Sequence, residues 1–297
     1  VGTAGARTGR LSASRFMNTP KPYQEEEGKY QHPAYAKVPE LPIVRRYLLP
    51  DRGEVWCKRD YSQQELRVLG HFEDGVLLGE FMADFASTQD FDVHQLAGDI
   101  LVNQYGMFNG NRKLARTAAK TIGFGLLYGM GLGALAERLE ISVYQAQQIR
   151  AAYLDIFPGL KDLQNDLTER GKQGLPLKTW GGREYYVEEA KYVAKFKRVQ
   201  TFEYKLLNYL IQGSSADCTK EAIIRYDAAK QHGRFLITIH DEINLSVPKS
   251  KVKSEMALLR DVMASIEFDT PMLSDGAIGP NWAELIKFNE PLYQRSK

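Results

Sequence analysis

The sequence Arg116-Thr-Ala-Ala-Lys120-Thr-Ile-Gly-Phe124-Gly-Leu-Leu-Tyr128, followed by Gly129, contains the pattern on which the predicted architecture depends. Arg116, Lys120 and Phe124 stand four residues apart. A helix turns about 100° per residue, so each step of four drifts by only about 40° and the three side chains line one edge. Two cations beside an aromatic ring suit a nucleoside triphosphate. Taken alone, the motif is more simply interpreted as a solvated basic edge beside a core residue than as a triphosphate-binding edge.

The composition predicts an ordinary globular protein with a sizeable core. The chain has 297 residues, of which 43% are hydrophobic and 26% charged. Its net charge of +2 excludes a strong positive electrostatic field around the whole protein. Any contact with nucleic acid must therefore come from local basic patches. Cys57 and Cys218 make neither a disulfide framework nor a zinc motif, which favours a reducing cytoplasm. No run of 18 apolar residues predicts a membrane span.

Along the chain, strand-like runs near both ends enclose a helical block, which predicts an α+β fold. The predicted strands cover 55–60, 235–239 and 243–247, with a hairpin over 179–187. The predicted helices cover 62–84 with breaks near Gly75 and Gly79, 92–106, 112–128, 143–155 capped by Ser142, 160–171, 190–228 and 249–267. Five prolines within 20–42 predict a loop insertion there.

Two aspartates at strand ends are candidate metal ligands. Asp60 ends one apolar strand, and Asp241 lies in the turn His240-Asp241-Glu242 between two others. Carboxylates brought together repel each other unless a divalent cation lies between them, and hard oxygen ligands select Mg²⁺ or Mn²⁺. Either aspartate alone is more often a simple turn former.

Taken together, these segments resemble the DNA polymerase I family, the family A DNA polymerases. The matching segments follow the family order over nearly the whole chain: Thr8-Gly9-Arg10, Asp60 to Arg67, Asp92-x-His94, Arg116 to Gly129, Asn208-x3-Gln212-Gly213, His240-Asp241-Glu242 and Gly279-x2-Trp282. The resemblance implies a right-hand architecture, with a palm formed by 1–66 and 201–297 and helical fingers formed by 67–200. The family's thumb and exonuclease would lie upstream and are absent from this sequence.

The resemblance also implies a reaction, in which a deoxynucleotide is transferred from a dNTP to a primer 3′-hydroxyl and pyrophosphate is released. Asp60, Asp241 and the Tyr61 carbonyl would hold two Mg²⁺ ions, with Mn²⁺ as a substitute. One ion would activate the hydroxyl, and the other would hold the triphosphate.

Further roles are implied by the same motifs. Arg116 and Lys120 would join the aspartates in catalysis, with Lys120 protonating pyrophosphate. Glu65 would be a steric gate against a ribose 2′-hydroxyl and hydrogen-bond Tyr128. The nucleotide-binding set would be Tyr61, Gln63, Glu65, His94, Arg116, Lys120, Phe124 and Tyr128. The DNA-binding set would be Arg10, Asn208, Gln212, His240, Glu242 and Arg183.

Some interpretations stay open at this point. A single-subunit RNA polymerase shares the chemistry, although Glu65 argues against it. A non-catalytic DNA-binding or replisome fragment, requiring a separate N-terminal half, is another alternative. The expected partners are primer-template DNA, a dNTP, and a separate thumb or exonuclease chain or a processivity factor. The expected location is the cytoplasm, either nucleoid-associated or in a phage-infected cell. A basic stretch (Lys191, Lys195, Lys197, Arg198 and Lys205) predicts either phosphate contacts or a solvated helix face.

Overall fold

The computed structural model describes residues 6–11, 44–87, 92–194 and 197–288. Its strands are β1 (Glu54–Tyr61), β2 (Leu177–Lys178), β3 (Glu184–Tyr185), β4 (Lys191–Val193), β5 (Arg198–Gln200), β6 (Arg234–Ile239), β7 (Glu242–Pro248), β8 (Ser274–Gly279) and β9 (Ile286–Lys287). Five of them form one antiparallel sheet in the order β6-β7-β1-β8-β9. The other four form two small hairpins, β2-β3 and β4-β5.

Eight α-helices lie between β1 and β6 in the described part of the chain, together with the two hairpins, and a ninth follows β7. They are α1 (Gln64–Glu73), α2 (Val76–Ser87), α3 (Val93–Asn103), α4 (Arg112–Leu127), α5 (Leu132–Leu139), α6 (Val143–Ile156), α7 (Pro158–Lys172), α8 (Leu206–Ala229) and α9 (Val252–Ala264). Ser142 caps α6 through a reciprocal capping box with Gln145. Side chains also cap α3, through Asp92, and α4, through Asn111.

The central strands of the sheet present one apolar and one polar face, because successive side chains of a strand point to opposite sides. On one face, Cys57, Ile243 and Leu245 are fully buried in the core that includes α9. The register of β1 and β7 sets Asp60 opposite Glu242 and Lys58 opposite Asn244 on the other face. The sheet thus gathers charged side chains at one end of its polar face.

Close packing fixes the position of α4 within the helical block. At Gly98 on α3, a Cβ atom would lie 2.7 Å from the backbone nitrogen of Arg116, so α3 and α4 approach at a distance that only glycine permits. At Gly123, a Cβ atom would lie 2.8 Å from the buried Tyr153 hydroxyl of α6. Gly123 is unfavourable for an isolated helix, but the close approach of Tyr153 explains why a glycine stands there in α4.

The α+β prediction is confirmed, and several boundaries are corrected. The described residues of 190–205 form the β4-β5 hairpin and a short 3-10 helix at Glu203–Lys205 rather than the predicted α-helix, and α8 begins at Leu206. The run 62–84 breaks once, at Asp74-Gly75, and not at Gly79. Helix α5 and strands β8 and β9 were not predicted. The insertion 20–42 lies outside the described residues, and the palm and fingers boundaries remain predictions.

Within the described part of the chain, no helix is both long and apolar enough to cross a membrane.

Candidate active site

The two aspartates predicted as metal ligands lie at the same corner of the sheet. Asp60 is the next-to-last residue of β1, and Asp241 occupies the tight turn between β6 and β7. The Tyr61 N–H donates a hydrogen bond of 3.3 Å to the Asp241 carbonyl oxygen, so the backbone joins the two segments directly. His240, beside Asp241, has a left-handed φ of 56° that turns the chain there. Backbone pairing brings together residues that lie 181 positions apart (241 − 60).

The electrostatics of this corner show that its carboxylates are crowded. Burial raises the pKa of Asp241, and the neighbouring negative charge of Asp60 raises it further. Lys58 partly offsets the crowding, because its Nζ lies 3.2 Å from Asp60 Oδ2 and 2.7 Å from Glu242 Oε2. Burial alone would lower the pKa of Lys58, but these two carboxylates outweigh burial and raise it. The ammonium group is therefore a resident cation in an acidic corner.

Glu242 does not occupy the position that its predicted contact with DNA requires. The residue is only 5% exposed, and its Oε1 accepts hydrogen bonds of 2.8 Å from both Asn244 Nδ2 and Trp282 Nε1. Although burial opposes ionisation, Lys58 and these donors lower the pKa of Glu242. Its carboxylate is committed to Lys58, Asn244 and Trp282, so the predicted contact of Glu242 with DNA is wrong.

The donor set at this corner fits a divalent cation. Asp60 and Asp241 offer hard oxygen ligands, and an ion between them would relieve the repulsion that raises the pKa of Asp241. Tyr61 could contribute only its carbonyl, because its side chain is buried and its hydroxyl donates to the Met263 carbonyl at 3.0 Å. No cluster of three or more His, Cys, Asp or Glu side chains suited to a metal exists among the described residues. Water or substrate oxygens would therefore complete the coordination.

The cationic edge predicted for α4 is present, but its two cations differ. The Arg116 guanidinium binds Asp92 Oδ2 through Nε at 2.9 Å and Nη2 at 2.6 Å. Asp92 also caps α3, because its Oδ1 accepts from the backbone N–H groups of His94 and Gln95. Lys120 is exposed and has no ion-pair partner among the described residues. Lys120 is therefore available to a ligand, whereas Arg116 would have to leave the Asp92 carboxylate or share it with the ligand.

Aromatic side chains continue the same edge toward the C-terminus of α4. The Phe124 ring lies 5.5 Å from the His94 ring and stacks on the Tyr128 ring at 6.1 Å. His94 is buried beneath this edge, and its Nδ1 has no hydrogen-bond partner among the described residues. Burial lowers the pKa of His94 to about 4, and the charges of Lys120 and Arg116 lower it too, against Asp92. At neutral pH, the His94 imidazole is therefore uncharged.

A hydrogen-bonded network connects α4 with the sheet corner through Glu65. The Tyr128 hydroxyl donates to Glu65 Oε2 at 3.0 Å, as the family resemblance implies, and Arg10 pairs with Glu65 Oε1. Gln212 on α8 also hydrogen-bonds the Tyr128 hydroxyl. Because Glu65 lies in the first turn of α1, immediately after β1, the network sets the end of α4 close to Asp60.

The remaining predicted DNA contacts surround this network. Segment 6–11 is held by Lys220, whose Nζ donates to the Gly9 carbonyl at 2.7 Å, and Arg10 extends from it to Glu65. Arg183 pairs with Asp217 beside Gly9. His240 is exposed at the turn, where partial desolvation and the positive charge of Arg10 lower the pKa of its imidazole. Two other predicted residues lie on the elements around the network: Asn208, one turn before Gln212 on α8, and Gln63, the N-cap residue of α1.

Lys58 is a residue of this site that was not identified from the sequence. Lys58 lies two positions before Asp60, and period-two alternation places both on one face, so that signal was available. Gln64 lies beside Glu65 but is buried, and its Nε2 donates to Thr219 on α8 at 3.0 Å. Its polarity is thus explained by a partner far along the chain. The Arg116–Asp92 pair could not be predicted without knowing how α3 and α4 pack.

Comparisons with known proteins agree with this geometry. Residues 1–284 match the family model described as DNA polymerase family A. DNA polymerase I of Chloroflexus aurantiacus is 32% identical over 95% of this chain, which covers 28% of that protein. Thermostable DNA polymerase I of Thermus aquaticus is 30% identical over 93% of this chain, which covers 31% of that protein. The chain thus spans about three tenths of the length of these relatives.

A solved structure gives the same result. The POL domain of Pol1 from M. smegmatis, in complex with DNA primer-template and dNTP, superposes with a TM-score of 0.74 at 25% identity. The match covers 94% of this chain and 46% of that one. The order of the motifs, the antiparallel sheet with its acidic corner and these matches lead to one conclusion. The chain belongs to DNA polymerase family A.

Proposed function

We propose that this chain carries the nucleotidyl-transfer centre of a DNA-directed DNA polymerase, which extends a primer 3′-hydroxyl with dNTPs. The observation that carries the proposal is the joining of Asp60 and Asp241 by the β1–β7 corner, facing the end of α4 through Glu65 and Tyr128. Family membership supports the activity, and the M. smegmatis relative was solved with primer-template and dNTP.

In this proposal Asp60 and Asp241 would hold two Mg²⁺ ions, which would supply Lewis-acid stabilisation of the transferring phosphoryl group. The chain's own contribution is positioning. The sheet fixes both carboxylates through backbone hydrogen bonds, so that they need not reorganise during the reaction. Lys58 neutralises part of the acidic charge until substrate and cations enter.

The α4 edge would bind the triphosphate. Lys120 has no competing ion pair among the described residues, so its ammonium is free to contact phosphate and to donate a proton to the departing pyrophosphate. Arg116 would turn from Asp92 or share it, and Phe124 would stack on the sugar and base. His94 would add a neutral hydrogen bond, consistent with its lowered pKa.

Glu65 would discriminate between deoxyribose and ribose. Its carboxylate is held from two sides, by Tyr128 and by Arg10, and therefore keeps its place when a nucleotide enters. A fixed side chain in that position would exclude a 2′-hydroxyl sterically. Arg10, together with Gln212, Asn208, His240 and Arg183, would contact the primer terminus and the minor groove, whose acceptors are similar in every base pair.

The test is extension of a labelled primer by the chain with Mg²⁺ and each of the four dNTPs. We expect template-directed addition by the wild type and a loss of about 1,000-fold for Asp241→Asn. Asp227→Asn is the matched control, because Asp227 is exposed and pairs only locally with Lys230. Both variants replace an aspartate by asparagine, so only the position of the change differs.

Other outcomes would favour the alternatives. Preferential use of rNTPs would indicate an RNA polymerase and contradict the role of Glu65. DNA binding without any nucleotide addition, also with the N-terminal part of a family A polymerase supplied, would indicate a non-catalytic fragment. Partner chains, processivity factors and a cytoplasmic location remain predictions.

A further inference from the structure

Segment 6–11 forms a tight turn that carries the predicted primer contact, Arg10. The Gly9 N–H donates to the Ala6 carbonyl at 2.7 Å, and the φ of Gly9 is 77°, a left-handed value that glycine adopts without strain. Arg10 follows directly and pairs with Glu65, in the first turn of α1 beside the sheet corner. The direction in which Arg10 leaves the turn therefore decides whether its guanidinium reaches this corner.

Lys220 of α8 holds this turn through the Gly9 carbonyl. Its Nζ donates to that oxygen at 2.7 Å, and no carboxylate pairs with the ammonium group among the described residues. Lys220 is half-buried, so desolvation lowers its pKa, and the charge of Arg183 lowers it further. A cation that loses part of its hydration without gaining an ion pair is not explained by salt-bridge formation. Its contact with the turn is therefore the interaction that accounts for its position.

Arg183 packs against the same turn from another direction. Its guanidinium lies where a side chain at Gly9 would begin, so any Cβ atom there would collide with it. Asp217, three residues before Lys220 on α8, pairs with Arg183, and its Oδ2 accepts from the Thr179 hydroxyl at 2.6 Å. Arg183 is thus neutralised within the protein, whereas the charge of Lys220 is directed at a backbone carbonyl.

The space around the turn is almost filled. A cleft of about 10 Å³ is lined by Arg10, Lys220 and His240 among other residues, and this volume admits no more than one water molecule. The start of the segment is fixed separately, because Arg7 Nη1 lies 3.2 Å from Glu188 Oε1. Loss of the Lys220 donor would therefore release the turn while the segment stays anchored at its start.

We propose that Lys220 is a positioning residue for primer extension, whose hydrogen bond to the Gly9 carbonyl directs Arg10 toward the primer terminus. This inference rests on the proposed function. Minor-groove acceptors lie at similar places in every correct base pair, so a fixed Arg10 meets them at a paired terminus and misses them at a mismatched one. Lys220 acts on this contact through the backbone and does not itself touch the DNA.

The first test measures hydrogen exchange by mass spectrometry for the peptide covering 6–11, without DNA or nucleotide. Lys220→Met removes a charged donor, so exchange of this peptide should become about tenfold faster. Lys220→Arg keeps a cationic donor and should resemble the wild type. Lys230→Met is the matched control, since Lys230 ends α8 and pairs with Asp227 on the surface. Exchange of β7 should be equal in all four proteins, which verifies folding.

The second test measures single-turnover addition of the correct dNTP to a primer with a paired or a mismatched terminal base. Lys220→Met should slow addition to the paired terminus about tenfold and leave addition to the mismatched terminus unchanged. General damage to the fold would slow both reactions. In the Arg10→Ala background, Lys220→Met should have no further effect, because it acts through Arg10.

Salt dependence separates positioning from direct contact with DNA. A positioning lysine leaves the salt slope of primer-template binding unchanged, whereas a lysine on a phosphate contributes about 0.9 to it. A smaller slope in Lys220→Met, equal losses on both termini, or additive effects with Arg10→Ala would overturn the proposal. So would wild-type exchange of the peptide 6–11 in Lys220→Met, whether or not the chain is active. A wild type that adds no nucleotide although the exchange result is as expected would count against the proposed function instead.

Discussion

The sheet corner and the α4 edge are both charged, but they are positioned in different ways. Asp60 and Asp241 are set by backbone pairing between β1 and β7, so no side-chain rotamer decides whether they meet. Arg116 and Lys120 project from a helix, and Arg116 is already engaged by Asp92. The comparison suggests that the corner is a preorganised site, whereas the α4 edge must rearrange its ion pairs when a ligand binds.

The largest effect expected on the α4 side is that of Lys120→Ala. Removing the unpaired cation should slow single-turnover nucleotide addition by about 1,000-fold, equivalent to about 4 kcal/mol, with DNA affinity nearly unchanged. Lys113→Ala, on the exposed first turn of the same helix, is the control. Equal rates for Lys120→Ala and wild type would show that the α4 edge does not take part in the chemistry.

The next effect concerns stability and pH. The pKa of His94 is lowered to about 4 from 6.5, so protonation disfavours the folded state. The stability that neutral His94 contributes is fully present above pH 6.5. It is lost as the pH falls toward 4, which lowers the free energy of unfolding by about 3 kcal/mol. His94→Gln should remove this loss, as measured by chemical denaturation between pH 4 and 7.5. Parallel curves for the two proteins would contradict the buried, neutral histidine.

The position of α4 itself is tested at Gly123. Gly123→Ala should destabilise the protein by about 1–2 kcal/mol, because the new Cβ would meet the Tyr153 hydroxyl. In the Tyr153→Phe background the same change should become neutral or stabilise by up to about 1 kcal/mol through helix propensity. Thermal and urea unfolding of the wild type, the two single variants and the double variant gives the coupling free energy between the two positions. Additive effects would show that the two helices do not meet in this way.

The smallest effect sharpens the account of the corner. Lys58→Met removes the resident positive charge 3.2 Å from Asp60, and so should improve Mn²⁺ binding about fivefold by reducing like-charge repulsion. Lys58→Arg keeps the charge and should resemble the wild type. Mn²⁺ binding is followed by electron paramagnetic resonance. Weaker binding by Lys58→Met would mean that Lys58 orients Asp60 rather than competing with the ion.

The same contrast explains what the sequence could predict. Strand ends marked Asp60 and Asp241 as candidate ligands, but only the family resemblance implied that they share one site, whereas helical periodicity sufficed for the order of Arg116, Lys120 and Phe124. Partners chosen by packing could not be derived, as the pairing of Arg116 with Asp92 and of Gln64 with Thr219 illustrates. The burial of Glu242 depended on Trp282, forty residues later (282 − 242). The β4-β5 hairpin was mistaken for helix, although Tyr192, Val193 and Val199 are of the aromatic and β-branched types that favour strands.

The most direct test of the central claim is Mn²⁺ binding by a complex with a dideoxy-terminated primer-template and dNTP. The claim is that Asp60 and Asp241 form one cation site. We expect Asp60→Asn and Asp241→Asn each to weaken binding at least about tenfold, and the double variant to be little worse than either single one, because removing one ligand already breaks a shared site. Wild-type affinity in either single variant, or losses that simply add, would contradict a shared site.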